Sequence, residues 1–228
     1  MVTSGQPIAA FDVDGTLVDG QTQAMLVRYM RERGMLDTGT VVAAAVWFLA
    51  YKMGFPLSGD RVRRRVLGSF RGMTMAQIDE VVDALHATRL RARVSAGGCD
   101  VIRQYESEGT RTVLVSASVE PIVSRIARQV GASHWIATTL GSCEGRMTGA
   151  VSGLVVEGKA KAERFTKWAD ETYGEWTLVA AYGDHETDAE LLALAESPFA
   201  VNPTRALRKV AGENGWSCVE WSSDRGGR

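Results

Sequence analysis

The chain has 228 residues, 45% of them hydrophobic and 23% charged, with a formal net charge of −1. That length suits one large domain, or a core domain with a smaller insertion, and that balance is ordinary for a soluble globular protein. The near-neutral charge leaves no global basic field to draw the chain to nucleic acid. The opening residues MVTSGQP lack a charged start and a long apolar run, so no secretory leader is expected. Cys99, Cys143 and Cys218 are odd in number and far apart, with neither metal-ligand spacing nor a disulfide framework, which suits a reducing cytoplasm.

The first element is a short buried strand, Ile8–Asp12. The chain from Gln21 to about Arg93 then reads as nearly all helix: Gln21–Arg33, Thr40–Lys52, Ser58–Phe70 and Thr74–Arg93, punctuated at Gly34, at Gly54-Phe55-Pro56 and at Arg71-Gly72. Within it lies the longest apolar run, Val41–Tyr51 (VVAAAVWFLAY). A membrane-spanning helix needs about 20 apolar residues, so this run reads as a buried or cap helix. The alternative is a surface that touches a membrane or an apolar substrate. From Ala96 onward helices and strands alternate: helix Cys99–Glu108 and strand Thr112–Ser116, helix Glu120–Val130 and strand Trp135–Thr138. A hairpin follows at Gly145–Val151, with Gly and Thr at its turn. Helix Lys161–Thr172 then precedes strand Leu178–Tyr182, helix Ala189–Glu196 precedes Phe199–Asn202, and helix Thr204–Gly212 precedes Trp216–Glu220. Alternation of this kind predicts a Rossmann-like α/β fold, a parallel sheet with helices on both faces. Ligands bind such sheets beyond the carboxyl ends of the strands. Residues 1–19 and 95–228 would form this core, and residues 20–94 a helical cap inserted after the first strand, over the sheet's carboxyl edge.

The first strand runs straight into two carboxylates, in IAAFDVDGTLVD. Asp12 and Asp14 sit one residue apart and repel each other unless a cation or a shared proton compensates. Asp and Gly at a strand end also serve as simple turn formers. A calcium loop of the EF-hand type needs Gly at its sixth position and Glu at its twelfth; here those places hold Leu17 and Gln23. Three more polar clusters fall where a parallel sheet would bring them to the same edge. Ser116 follows the strand of TVLVSAS, Asp184 follows that of LVAAYGDHETD with Asp188 four residues on, and Lys159 and Lys161 open the helix of VEGKAKAER. Each has a plainer reading: a strand-end Ser as turn former or cap, Asp188 as a helix N-cap, the lysines as a solvated helix start.

With DVDGT, LVSAS, KAKAE and GDxxxD in this order, the sequence resembles the haloacid-dehalogenase-like hydrolase superfamily. Within it the chain is similar to the phosphoserine-phosphatase-like branch, subfamily IB, whose helical cap follows the first motif. The resemblance covers most of the chain and implies a magnesium-dependent phosphatase acting on a small phosphomonoester of phosphoserine-like or related type. It implies that Asp12 is the nucleophile that forms an aspartyl-phosphate, and that Asp14 is the general acid and then the base. It implies Mg²⁺ on the Asp12 carboxylate, the Asp14 backbone carbonyl and the Asp184 carboxylate, oxygen ligands that suit this ion. Ser116 would donate to a phosphoryl oxygen, and a lysine, Lys161 in preference to Lys159, would neutralise the phosphoryl charge and hold Asp12. Asp188 would orient that lysine or a metal-bound water, and Thr16 would brace the Asp12 loop. Gln21, Ala117 and an arginine of the cap, Arg65 or Arg64, are the substrate-binding candidates; an arginine fork suits a carboxylate or second phosphate. His185 reads as a loop histidine or a substrate contact, and His86 and His134 as structural.

One departure bears on substrate. Members that hydrolyse phosphoserine carry an acidic residue nine positions after the nucleophile, to hold the ammonium. Here that position is Gln21, a neutral amide. Relatives with apolar cap helices act on other phosphomonoesters, lipid head groups such as lysophosphatidate or phosphatidylglycerol phosphate included. Competing activities are a dehalogenase, which needs no acid at Asp14, a phosphotransferase with the same motifs, and a phospho-acceptor module, which would lack a cap of this size.

Overall fold

The computed structural model describes residues 5–53 and 60–222. Six parallel strands form one sheet in the order β3-β2-β1-β6-β7-β8, where β1 is Gln6–Phe11, β2 Arg111–Val119, β3 His134–Thr138, β6 Trp176–Gly183, β7 Ser197–Val201 and β8 Ser217–Val219. The chain builds outward from β1 to β3 on one side, then returns to build β6 to β8 on the other. The reversal falls between β1 and β6, the switch point at which sheets of this kind open a ligand crevice.

Period-two alternation in β1 divides two apolar cores. Ile8 and Ala10 point into one core with Phe165 and Ala169 of α7 (Lys159–Tyr173) and Leu207 of α9 (Arg205–Asn214). Ala9 and Phe11 point into the other, with Ile102 of α5 (Ala96–Ser107) and Ile122 and Ile126 of α6 (Glu120–Val130). On that second face Phe11, Tyr182 and Phe199 are register partners on neighbouring strands, and their rings stack at 4.5 and 4.7 Å. This aromatic ladder ties β1, β6 and β7 together just below the site.

Between β1 and β2 lie α1 (Thr22–Glu32), α2 (Thr38–Lys52), α3 (Asp60–Gly68) and α4 (Met75–Leu85). Their apolar faces, including Leu26, Met30, Val66, Ile78 and Val82, belong to the same cluster as Phe11 and Ile122, as does Phe70 in the turn after α3. The ends of the insertion meet where Val18 pairs with Val94, and Ser95 N donates to Leu17 O at 2.8 Å. The chain folds Thr74–Arg93 differently from one continuous helix. α4 opens with a capping box between Thr74 and Gln77, then widens to a π turn over His86–Leu90 and tightens to a 3₁₀ turn over Arg91–Arg93, which returns the chain to the β1 loop. Residues 58 and 59 of the expected third helix lie outside the described residues.

The hairpin also differs from expectation. β4 (Leu140–Cys143) and β5 (Arg146–Val151) pair antiparallel, and the turn is Glu144-Gly145, both at positive φ, 50° and 76°. Thr148 and Gly149 lie within β5 instead of at the turn, because two consecutive left-handed residues make the tight turn that matches strand twist. α8 is only Ala189–Leu192, since Glu196 N already donates to Leu178 O at 2.9 Å as the chain enters β7. α2 buries Ala44 and Ala50 while Val42, Val46 and Leu49 are each at least 56% exposed, so its outward face is apolar as well. No helix among the described residues is long and apolar enough to cross a membrane.

Candidate active site

Asp12 follows β1 directly, and its N–H still donates to Tyr182 O of β6 at 2.8 Å. The strand therefore holds the residue in register until its side chain clears the sheet edge. The chain then turns tightly: Gly15 N donates to Val18 O at 2.9 Å and Val18 N to Val13 O at 2.8 Å. Gly15 has φ +90°, and a methyl group there would overlap the Asp184 carboxylate. Glycine is thus required twice, for the backbone and for the close approach of β1's loop to β6's. Thr16 is buried, but its hydroxyl has no hydrogen-bond partner among the described residues. The loop is braced by its backbone, where the sequence suggested the Thr16 side chain.

Of the two candidate lysines, Lys161 reaches the strand ends. It is buried in the first turn of α7, with Nζ 2.6 Å from Asp12 Oδ1 and 2.5 Å from Asp188 Oδ1. Lys159 points to solvent and pairs with Glu163 at 3.2 Å along the helix surface. Asp188 is held at its other oxygen by the His185 N–H at 3.2 Å. Both of its oxygens are engaged, one orienting the lysine. The Asp12, Asp184 and Asp188 carboxylates each place an oxygen within 4.8 Å of the others.

This density of negative charge shapes the electrostatics. Burial raises the Asp12 carboxyl to about 7 against the pull of Lys161, with Asp188 and Asp14 adding to the rise. Burial and then Asp12 and Asp188 raise Asp184 to about 9. Burial disfavours the Lys161 ammonium, yet Asp12 and Asp188 outweigh it and raise its pKa. One ammonium touches two of four carboxylates, so the cluster still favours a further cation. The donors are hard oxygens, which fit a divalent ion such as magnesium.

Asp14 turns the other way. Its Oδ1 accepts from Thr22 N at 2.5 Å and its Oδ2 from Thr22 Oγ1 at 3.1 Å, so it caps the N-terminus of α1. The Thr22 hydroxyl also lies 2.8 Å from Ser118 Oγ on β2. Burial raises the Asp14 pKa although both Thr22 hydrogen bonds lower it. Ser116 is buried within β2, three residues before its end, where its Oγ accepts from Ser118 N at 3.1 Å. Sequence reasoning did not single out Thr22 or Ser118; the available signal was Thr22 at the start of the first cap helix.

These residues surround an open polar cavity of about 620 Å³, its solvent-filled mouth included. Asp12, Asp14, Lys161, Asp184 and Asp188 form its floor, and Gln21, Ala117, His185, Trp47 and Phe48 stand around it. Gln21 and Ala117 thus line the cavity. The arginine does not. Arg65 and Arg64 are on the exposed face of α3, and Arg63 lines the cavity, its side chain 15% exposed and 3.4 Å from Glu157. The reason is helical phase: Arg63 precedes the buried Val66 and Leu67 by three and four residues, on their face. His185 lines the cavity while its Nδ1 accepts from Thr187 N at 3.3 Å. His134 stacks on Trp168 at 4.7 Å, and His86 bonds Gln129, both away from the cavity.

Known proteins resemble the chain in sequence and fold. Residues 9–193 match the haloacid dehalogenase-like hydrolase family. A probable phosphatase of Mycobacterium tuberculosis is 32% identical over 221 residues, 94% of this chain and 75% of that protein. A histidinol-phosphatase of Neisseria meningitidis serogroup C is 25% identical over 218 residues, 94% of this chain and 98% of that one. A solved structure of a phospho-aspartyl intermediate analogue of phosphoserine phosphatase has the same fold, with a TM-score of 0.67 at 19% identity over 97% of this chain and 96% of that one. The chain belongs to the haloacid dehalogenase-like hydrolases, and within that family it is a phosphatase.

Proposed function

We propose that the chain is a magnesium-dependent phosphomonoesterase in which Asp12 carries the phosphoryl group as an aspartyl-phosphate, acting on a small phosphomonoester. The observation that carries this reading is Lys161, buried between Asp12 and Asp188 with the Asp184 carboxylate in the same cluster. Asp12, Asp184 and the Asp14 carbonyl are the groups that would hold the ion. When bound, magnesium would offset carboxylate repulsion and stabilise charge on the phosphoryl oxygens.

Lys161 fixes one Asp12 oxygen, so the other is presented to phosphorus. As the Asp12 oxygen bonds to phosphorus, the bond to the ester oxygen breaks. The departing oxygen keeps the electron pair and takes a proton from Asp14, whose pKa is raised by burial. Asp14, now a carboxylate, removes a proton from water as the water oxygen attacks phosphorus. The bond to Asp12 breaks and inorganic phosphate is released. The Ser116 hydroxyl would donate to a phosphoryl oxygen, and Ala117, next in the chain, lines the cavity wall.

Phosphate release from p-nitrophenyl phosphate, with magnesium and with EDTA, tests this. Release that depends on magnesium and is lost in Asp12→Asn is expected. Undiminished release in Asp12→Asn would overturn the assignment.

A further inference from the structure

The polar cavity continues into a second one of different chemistry. The two share Gln23, Trp47, Phe48, Arg63 and Ala117 as a common boundary. Beyond it the walls are apolar: Leu26 and Val27 of α1, Val66 and Leu67 of α3, Ile122 of α6. This annex is narrow as it stands, with about 40 Å³ of enclosed free space, and about 540 Å³ when its open, solvent-filled mouth is counted. Trp47 and Phe48 meet edge to face, with ring centroids 4.9 Å apart, at the passage between the two.

The annex offers little to a charged or zwitterionic group. Its hydroxyls are engaged inward: Ser118 with Thr22 at 2.8 Å, and Thr138 with Ala117 O at 2.9 Å. Arg63 is the one formally charged residue among those described around it, and Arg63 is paired with Glu157 on the polar side. An ammonium entering the annex would leave water for apolar walls and a like-charged guanidinium. An alkyl or aryl group would gain from the same walls. A phosphoryl group held at Asp12 keeps its ester oxygen on the side opposite the attacking carboxylate, so the alcohol part extends into the cavity above the strand ends.

We infer that the annex receives the alcohol portion of the substrate, and that this phosphatase prefers phosphomonoesters of apolar alcohols, alkyl or aryl, to phosphoamino acids. The inference rests on the phosphomonoesterase reading. It is supported by the polar and apolar cavities sharing one boundary and by the absence, among the described residues lining the annex, of any carboxylate to hold an ammonium.

The test is a homologous series. kcat/KM is measured for ethyl, butyl and hexyl phosphate, for 1-naphthyl phosphate, and for O-phosphoserine and O-phosphoethanolamine, with p-nitrophenyl phosphate as the competence control. Each methylene that enters the annex is expected to raise kcat/KM about fourfold, the factor for burying one methylene. Butyl, hexyl and naphthyl phosphates should exceed O-phosphoserine by more than about tenfold. Val27→Phe, which narrows the annex, should flatten the chain-length dependence. A flat series in the wild type, or O-phosphoserine as the best substrate, overturns the inference while leaving the phosphatase reading intact. No turnover of any ester, the control included, overturns both.

Discussion

Lys161→Met offers a perturbation whose size and pH dependence follow from the geometry. The side chain is 4% exposed and bonds Asp12 and Asp188 at 2.6 and 2.5 Å. Removing it leaves two buried carboxylates facing each other without their cation, which costs about 3–5 kcal/mol for a buried pair that loses one partner. The cost grows with pH. In the wild type burial raises the Asp12 pKa to about 7, and Lys161 is the largest influence opposing that rise. Without the lysine the folded-state value moves higher still, while the unfolded value is unchanged. The folded state then binds the more protons, and stability continues to fall as pH rises above 7, where the wild-type contribution from Asp12 has levelled off. The extra loss is about 1.4 kcal/mol per pH unit for this one group. Urea unfolding in EDTA at pH 6 and pH 8 reads it directly, with Lys159→Met as the control. Lys159 is 76% exposed in a helix-surface pair with Glu163, worth at most about 0.5 kcal/mol. A Lys161→Met cost below about 1 kcal/mol, or one equal at both pH values, would refute the claim that a buried lysine holds the carboxylate cluster.

Other outcomes follow from the same site. Asp14→Asn removes the proton donor, so kcat should fall about 10²–10⁴-fold on alkyl phosphates. The loss should be smaller on p-nitrophenyl phosphate, whose leaving group needs less help; equal losses would remove Asp14 from the role of acid. Gly15→Ala places a methyl group against the Asp184 carboxylate at a backbone angle of φ +90°. It should weaken magnesium binding, read by calorimetry, more than it lowers Tm, and unchanged affinity would contradict the close approach. Asp12 and Asp184 have raised folded values, near 7 and near 9, so the metal-free protein should lose stability as pH rises from about 4 to 9. Saturating magnesium should flatten that decline and bind more tightly at pH 8 than at pH 6. A pH-independent affinity would argue against these carboxylates as its ligands.

Much of the fold was legible because β1, β2 and β6 are apolar runs closed by polar residues, and because parallel strands gather their carboxyl ends at one edge. Asp12, Asp184 and Lys161 could be placed together from that rule. Lys161 was separable from Lys159 only by motif likeness, and the side-chain contacts of the folded chain distinguish them by burial. What the sequence hid was side-chain direction. Asp14 turns from the carboxylate cluster to cap α1 through Thr22, and Thr22 meets Ser118 from a strand 96 residues away. No periodicity encodes such a contact. The cap arginine was missed by helical phase: in the run Arg63-Arg64-Arg65 only the first shares a face with Val66 and Leu67. The widened π turn after α4 was hidden too, since His86–Leu90 continues a helical pattern whose backbone is reshaped by the return to the β1 loop.

Rapid acid quench during turnover of p-nitrophenyl phosphate, followed by peptide mass spectrometry, shows whether Asp12 carries the phosphoryl group. One added phosphoryl group is expected on the peptide containing Asp12, in the wild type and in larger amount in Asp14→Asn, where hydrolysis of the intermediate is slowed. Turnover with phosphate on another residue, or with no phosphorylated peptide in either protein, would contradict that role of Asp12.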